Sequence, residues 1–307
     1  MEEAGDASAA VLDPKLAPLL LFGHGDATSL YSVPARALLP RRVGDGGVDD
    51  HDERPPVVDH GAGLAAHWRA AARRALSCWD PFTGRRVGLP PDHDGTVLAA
   101  EGSSHRRRCL LSCCGHQHQY LQPGPPHHEH RGIVILALRQ LTAMDGEFYT
   151  DLIDHVAVLE FSLEPAFTVT AVDDDDRRPA VYMKRTSIFV ESNGELHSIL
   201  FSHPIGCDRI VAGVGVYRLS MATTQEQRSA WVKVDSLGGR VFFVQIGCFG
   251  ASLDARTTGL RGNCIYYSGF NGKALCVYDM ERGTTAVINP GEHLPYHQSP
   301  KILMPTR

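Results

Sequence analysis

The chain has 307 residues, with 43% hydrophobic and 21% charged side chains, the balance of a globular protein large enough to bury a core. Its formal net charge of -5 and pI near 6.3 argue against a nucleic-acid surface, which needs a basic excess.

The chain opens on MEEAGDASAA, acidic and small, without the positive segment of a secretory signal. Residues 1–13 read as disordered. The first apolar run, Leu16 to Phe22, contains Pro18 and is far too short to span a bilayer. Both features predict a protein of the cytoplasm or nucleus, whose eight cysteines stay reduced. Gly23 to Asp26, "GHGD", reads as a turn after a strand over Leu19 to Phe22. The stretch 43–60, "VGDGGVDDHDERPPVVDH", is acidic, rich in Gly and Pro, and reads as a loop. The best helical candidate is Gly63 to Cys78, rich in alanine and arginine, although its apolar spacing fits only loosely. Arg106-Arg107-Arg108 reads as a solvated loop.

The densest chemistry is "CLLSCCGHQHQYLQPGPPHHEH", Cys109 to His130, which holds three cysteines and five histidines in 22 residues. Zinc takes thiolate and imidazole four at a time in a tetrahedron. Cys113, Cys114, His116 and His118 are close enough to supply ligands, and Cys109, His127, His128 or His130 could complete a set. The spacing is poor for it. Adjacent Cys113 and Cys114 cannot easily turn both sulfurs to one metal, and the histidines lie beside Pro123, Pro125 and Pro126. The reading favoured for 109–131 is an irregular His-rich loop, with weak binding of a divalent metal as the alternative.

The C-terminal half is built of short strands and tight turns. "SIFVESNGELHSIL" places Asn193-Gly194 between two apolar runs, a two-residue hairpin turn that sets Val190 opposite His197 and Ile188 opposite Ile199. "AWVKVDSLGGRVFFV" predicts a second hairpin turning at Gly238-Gly239. "NCIYYSGFNGKALCVYDM" predicts a third, turning at Asn271-Gly272 and pairing Tyr267 with Cys276 and Ile265 with Tyr278. The chain then turns through "YDMERG" into "TTAVI", giving a three-stranded meander from Asn263 to Ile288. The run Asp173 to Arg178 reads as a solvated turn that lacks the alternate spacing of a calcium loop.

Weak internal echoes join these segments. "GEFYT" at Gly146 is matched by "GELHS" at Gly194 and more loosely by "GNCIYY" at Gly262. Trp79, Asp80 and Gly84 in "CWDPFTGRRVGLP" match Tyr278, Asp279 and Gly283 in "VYDMERGTTAVINP". Short strands, glycine turns and a loose repeat predict an all-β propeller of short antiparallel meanders, with room for about six blades at roughly 45 residues each. A β-sandwich is the second architecture that such spacing serves.

Catalytic signatures are missing: no G-x-S-x-G, Walker loop, H-E-x-x-H or G-x-G-x-x-G is present. "GVGVYR" at Gly213 lies inside a strand pattern. Trp79, Trp231, Tyr266, Tyr267 and Tyr278 sit in strand contexts and read as blade core. Cys207, Cys248, Cys264 and Cys276 read as small buried hydrophobes rather than nucleophiles. No catalytic, cofactor-binding or metal residue is assigned, and no cofactor is expected.

Several of these segments carry a family resemblance. "FTVTAV", "SIFVESNGELHSILF", "VYRLSM", "AWVKVDSLGGRVFFV", "GLRGNCIYYSG" and "VYDMERGTTAVI" together resemble a large plant family with a KIB-type, kelch-like β-propeller domain of unknown function, which often follows an F-box. The combination W-x-x-V-x-S-L-G-x-R (Trp231, Val234, Ser236, Leu237, Gly238, Arg240) is its most specific part, and "SCWDPFTGRRVGLPP" looks like an early blade motif. The resemblance covers roughly Leu16 to Pro305. It implies a single propeller over 14–307 and, for members with an F-box, a substrate receptor in a ubiquitin ligase. No F-box is expected here, since only about fifteen residues precede the first strand candidate. The resemblance fails over Gly115 to Gly132, where strands would be missing and one blade incomplete. The expected function is a non-catalytic protein-interaction module that binds a protein partner on a propeller face, with neither nucleic acid nor membrane as partner. The alternatives are a Cys/His-rich metal-binding protein and a degenerate paralogue without activity.

Overall fold

The computed structural model describes residues 12–24, 27–39, 140–152, 155–160, 166–173, 183–207, 210–222, 224, 228–246, 249–268, 274–294 and 300–304, together with the backbone of short strands at 65–68, 76–79, 86–88, 100–102 and 107–109. The expected disorder of 1–13 falls outside these residues up to position 11, as do the 43–60 loop and the stretch 110–131. Leu12 and Asp13 are ordered, and Asp13 caps a 3-10 turn at Pro14–Leu16 by accepting the Lys15 N–H at 2.9 Å.

The architecture is an all-β propeller, as the sequence predicts. β1 (Leu19–His24), β2 (Ala27–Ser32) and β3 (Ala37–Leu38) form a blade that a C-terminal strand completes. Next come β4 (Ala65–Trp68), β5 (Leu76–Trp79) and β6 (Arg86–Gly88), then β7 (Ala100–Gly102) paired with β8 (Arg107–Cys109). There follow β9 (Thr142–Met144), β10 (Glu147–Asp151), β11 (His155–Glu160) and β12 (Ala166–Asp173). It continues with β13 (Met183–Ser192), β14 (Glu195–Pro204), β15 (Gly213–Ser220) and β16 (Ser229–Lys233). These two blades share one eight-stranded sheet, because β12 pairs in parallel with β16 at Val172–Ser229 and Asp173–Ala230. The last blade holds β17 (Arg240–Gln245), β18 (Phe249–Asp254), a single helical turn α1 (Ala255–Thr258), β19 (Cys264–Ser268), β20 (Leu275–Asp279) and β21 (Thr284–Ile288). Finally β22 (Lys301–Leu303) returns to pair with β1, setting Leu19 opposite Leu303 and Leu20 opposite Ile302.

The hairpin registers follow the turn chemistry. β13 and β14 pair with Val190 opposite His197 and Ile188 opposite Ile199, as the Asn-Gly turn predicts. Asn193 and Gly194 have φ of 57° and 77°, the two positive values that a two-residue hairpin with matched strand twist requires. The echo at Gly146 has the same cause, since Asp145 and Gly146 turn β9 into β10 with φ of 50° and 89°. In the meander, Tyr267 faces Cys276 and Ile265 faces Tyr278, again as predicted. The second echo also shares a register: Trp79 pairs with Arg86 as Tyr278 pairs with Thr285. β1 runs on through Gly23 to His24 and pairs with β2 from Ala27, so the chain reverses just after "GH".

Three expectations are corrected. The helix expected over Gly63 to Cys78 is instead the antiparallel pair β4–β5, with Ala65 opposite Trp79. Alanine's helix preference is a few tenths of a kcal/mol per residue, and sheet pairing overrides it. Arg107 and Arg108 lie in β8 rather than in a loop, at positions opposite Gly102 and Glu101. The hairpin expected across Gly238-Gly239 does not form: β16 pairs with β15, while β17 pairs with β18 and, in parallel, with β19. Gly238 does turn the chain, at φ 58°. The apolar run Val241 to Val244, however, does not alternate, and such a strand needs cover on both faces.

That cover defines the core. On one face of the last blade, Val241, Phe243, Cys264 and Tyr266 pack with Leu20, Phe22, Tyr31 and Ile302 of the first. On the other, Phe242, Val244, Ile265 and Tyr267 pack with Ile188, Val190, Ile199, Phe201 and Val216. A third layer joins Phe189, Leu196, Leu200, Tyr217 and Trp231 to Tyr149, Val156 and Val172. Aromatic pairs tighten the first two layers from within, with Phe243 stacked on Tyr266 at 4.8 Å and Phe201 tilted against Tyr267 at 5.0 Å. Each such side chain, fully buried, stabilises the fold by about 1.5–3 kcal/mol.

Polar keys lock blade to blade. The Gln140 amide, ahead of β9, pairs with the Phe189 peptide of β13 as a strand would: its Nε2 donates to Phe189 O at 2.9 Å and its Oε1 accepts the Phe189 N–H at 3.0 Å. Gln245 Oε1, at the end of β17, accepts the Ile302 N–H of β22 at 3.4 Å. β18 lies so close to β13 that a Cβ on Gly250 would stand 2.5 Å from Val190 Cγ2 and 2.6 Å from Phe189 O. Gly250→Ala is therefore expected to destabilise the protein by about 1–3 kcal/mol through overpacking against a backbone oxygen. A urea unfolding midpoint indistinguishable from wild type would contradict the close approach.

Candidate functional site: the turn face of two blades

β13 and β18 run side by side in one direction, since Gly250 lies against Phe189 and Val190, and Ser252 Oγ is 2.8 Å from Ser192 Oγ. The β13–β14 turn, α1, the approach to β19 and the turn 280–283 therefore share one end of the propeller. The side chains there are fixed by the turns themselves.

Asp279, at the end of β20, is almost buried and holds this face together. Its Oδ1 accepts the N–H groups of Glu281 at 3.0 Å and Arg282 at 3.2 Å. Its Oδ2 meets Arg261 Nη1 at 2.7 Å, and the same guanidinium reaches Glu281 at 3.4 Å. Burial works against ionisation, but the Arg282 N–H and the Arg261 guanidinium outweigh it and hold the carboxyl below the usual range. Asn263, at φ 58°, accepts the Leu237 N–H at 2.8 Å and gives its own N–H to Arg240 O at 2.8 Å. Ser236 Oγ accepts the Gly238 N–H at 3.1 Å. Asp254 caps α1 through the Arg256 N–H at 2.9 Å and pairs with the Arg256 guanidinium at 3.0 Å. Glu195 pairs with Arg218 at 2.6 Å across β14 and β15.

The exposed ends form a rim of both signs. Asp235, Arg256, Glu281 and Arg282 are largely solvent-facing. The backbones of Arg256, Glu281 and Arg282 are held by Asp254 and Asp279, which preorganises this polar surface.

Two thiols and a phenol lie in the same blade, on β19 and β20. Cys264 is buried and Cys276 half-buried, and burial raises both thiols above their ordinary range, which keeps them protonated. Burial and a Cys276 contact push the Tyr267 phenol up to about 12, although a hydrogen bond with Thr285 opposes this. Trp231, Tyr266 and Tyr267 are core, as read from the sequence, and Cys207 lies half-buried in the turn after β14. Cys113, Cys114, His116, His118, His127, His128, His130 and Cys248 lie outside the described residues, and of Cys109 only the backbone in β8 is described. Among the described residues no group of three or more His, Cys, Asp or Glu is arranged to hold a metal ion, and no helix is long and apolar enough to cross a membrane.

His197 sits beneath the turn face with its ring edge against Phe242, centroids 5.4 Å apart, and its Nδ1 3.3 Å from Glu195 O. Burial lowers its pKa, and the nearby Arg218 adds to this, while Glu195 and Glu191 oppose without reversing it. The folded protein thus binds this proton less readily than the unfolded chain, whose histidine titrates near about 6.5. The stability due to neutral His197 is present above that value and is lost as pH falls toward the lower folded pKa. Thermal midpoints are expected to fall between about pH 7.5 and about pH 5, with part of the slope removed in His197→Leu. Identical slopes in the two proteins would contradict a neutral buried imidazole.

The chain has no match among the curated proteins. The KIB1-4 beta-propeller family model matches residues 49–279, which spans β4 to β20 and includes the Asn193-Gly194 turn, Asn263 and Asp279. With three-quarters of its length matched and the blades arranged as described, the chain belongs to the KIB1-4 beta-propeller family.

Proposed function

We propose that the protein is a non-catalytic recognition module whose turn face receives a protein partner. The observation that carries this reading is the rim around Asp279 and Asn263. Its turns are held by buried or half-buried acceptors, and its outward side chains are charged and of both signs. A surface ordered before binding loses little conformational entropy on association, and interspersed charges select a complementary partner. Propellers gather loops from several blades at one face, where binding residues can vary while the blades stay fixed. The protonated thiols of Cys264 and Cys276 and the core position of His197 favour a binding role over nucleophilic or acid–base chemistry.

The family resemblance adds a role for the captured partner. Members with an F-box present substrates to a ubiquitin ligase, and a partner captured by this propeller would be presented to such a ligase. The cytoplasm or nucleus suits such a role and keeps eight cysteines reduced.

Affinity capture of the tagged chain from cell extract, with partners identified by mass spectrometry, tests the reading. Wild type is expected to recover one reproducible partner that the charge-swapped pair Glu281→Lys with Arg282→Glu loses. Glu292→Lys, in the turn after β21 at the opposite end, is expected to retain it. Equal recovery by all three proteins, or recovery of chaperones alone, would overturn the turn face as the binding surface.

A further inference from the structure

We propose that the Asn193-Gly194 turn is a site of spontaneous deamidation and isoaspartate formation, and that Glu191 is the brake that slows it. The asparagine–glycine pair is exposed on the turn face, and no Cβ at position 194 hinders approach of the Gly194 nitrogen to the Asn193 side chain. In the reaction the Gly194 amide gives up its proton and its nitrogen attacks Asn193 Cγ. The new N–Cγ bond forms, the Cγ–Nδ2 bond breaks, and ammonia leaves, giving a five-membered succinimide. Water then opens the ring. Addition at Cγ gives aspartate, and addition at the main-chain carbonyl gives isoaspartate.

The structure holds the nucleophile in check. The Gly194 N–H donates to Glu191 Oε1 at 2.9 Å. This bond has two effects. It aims the N–H at Glu191 rather than leaving the nitrogen free to rotate toward Asn193 Cγ. It also places a carboxylate against a nitrogen that must become anionic to attack, and the two like charges disfavour that step. The brake is local to the sequence: Glu191 stands two residues before Asn193, whereas Gly269 stands two residues before Asn271 in the other Asn-Gly pair.

The consequence reaches the fold. Isoaspartate adds one methylene to the main chain inside a two-residue turn whose geometry fixes the register of β13 on β14. Either product adds a negative charge beside Glu191 and Glu195 on the turn face. The site would therefore couple the age of the molecule to the order and charge of that surface.

The test compares four samples incubated at mildly alkaline pH: wild type, Glu191→Ala, Glu191→Gln, and a free peptide with the sequence of residues 188–199. Deamidation at position 193 is read from the mass of the tryptic fragment, isoaspartate by enzymatic methylation, and folding by thermal melts. Wild type is expected to react more slowly than the peptide. Glu191→Ala is expected to react roughly tenfold faster than wild type, the factor that loss of a charge-assisted hydrogen bond implies. Glu191→Gln, which keeps side-chain length but not charge, is expected to lie above wild type as well, so it decides the matter if the alanine variant fails to fold. Natively folded variants that react at the wild-type rate would overturn the brake. A wild-type rate equal to that of the peptide would do the same.

Discussion

The parallel pairing of β17 with β19 is the constraint on which the rest of the molecule depends. Phe242, Phe243, Val244, Ile265 and Tyr267 are buried on alternating faces, so this pair has no solvent side. It therefore cannot be stable without a blade on each flank. One flank comes from β13, β14 and β15. The other comes from β1, β2 and β22, strands from opposite ends of the described chain that hydrogen-bond to one another. Gln245 reinforces the second contact at the backbone level, and Gln140 ties the first flank to the blade beyond it, each replacing a missing strand neighbour with a side-chain amide. The core is thus a chain of mutual dependences between blades rather than a set of independent sheets.

The segments that carry the family resemblance make sense in this light. In W-x-x-V-x-S-L-G-x-R, Trp231 fills the layer against Phe189, Leu237 and Val234 enter the layer against Phe242, and Ser236 holds the Gly238 N–H. Gly238 supplies the positive φ, and Arg240 reaches Ser252 on β18 at 2.9 Å. The members of the motif build a turn and contacts within and between blades. The motif encodes the scaffold, and the charged side chains of Asp235 and Arg256 stand at its outer edge.

Where turn chemistry was local, the sequence made the structure legible. Asn193-Gly194 specified its hairpin and register because only residues that tolerate positive φ can make that turn. The meander from β19 to β21 was legible in its register and in the Asp279-to-Gly283 spacing, while its Asn271-Gly272 turn lies outside the described residues. Gly238-Gly239 carried a similar signature, yet its flanking strands joined different sheets. The decisive partner was Asn263, some 25 residues away, whose side chain takes the Leu237 N–H and whose backbone starts β19 alongside β17. No local pattern reports such a partner, although the non-alternating Val241 to Val244 run was a signal of two-sided burial. The Gln140 key was invisible for the same reason, since a glutamine before a strand looks like any solvated residue. Of the turn face, Asp279 is marked by its echo in Asp80, while the roles of Arg261 and Asn263 have no local signal in "GLRGNCIYYSG".

Mutual dependence between blades is the central claim, and amide hydrogen exchange on wild type and Ile302→Asn tests it most directly. Ile302 is buried on β22 and packs within the layer that covers Phe243 and Tyr266. If the blades support one another, the substitution will lower protection in β17 and β19 along with β1, and by a similar factor. If protection falls in β1 and β22 while β17 and β19 exchange as in wild type, the central blade stands without its flank and the account is wrong.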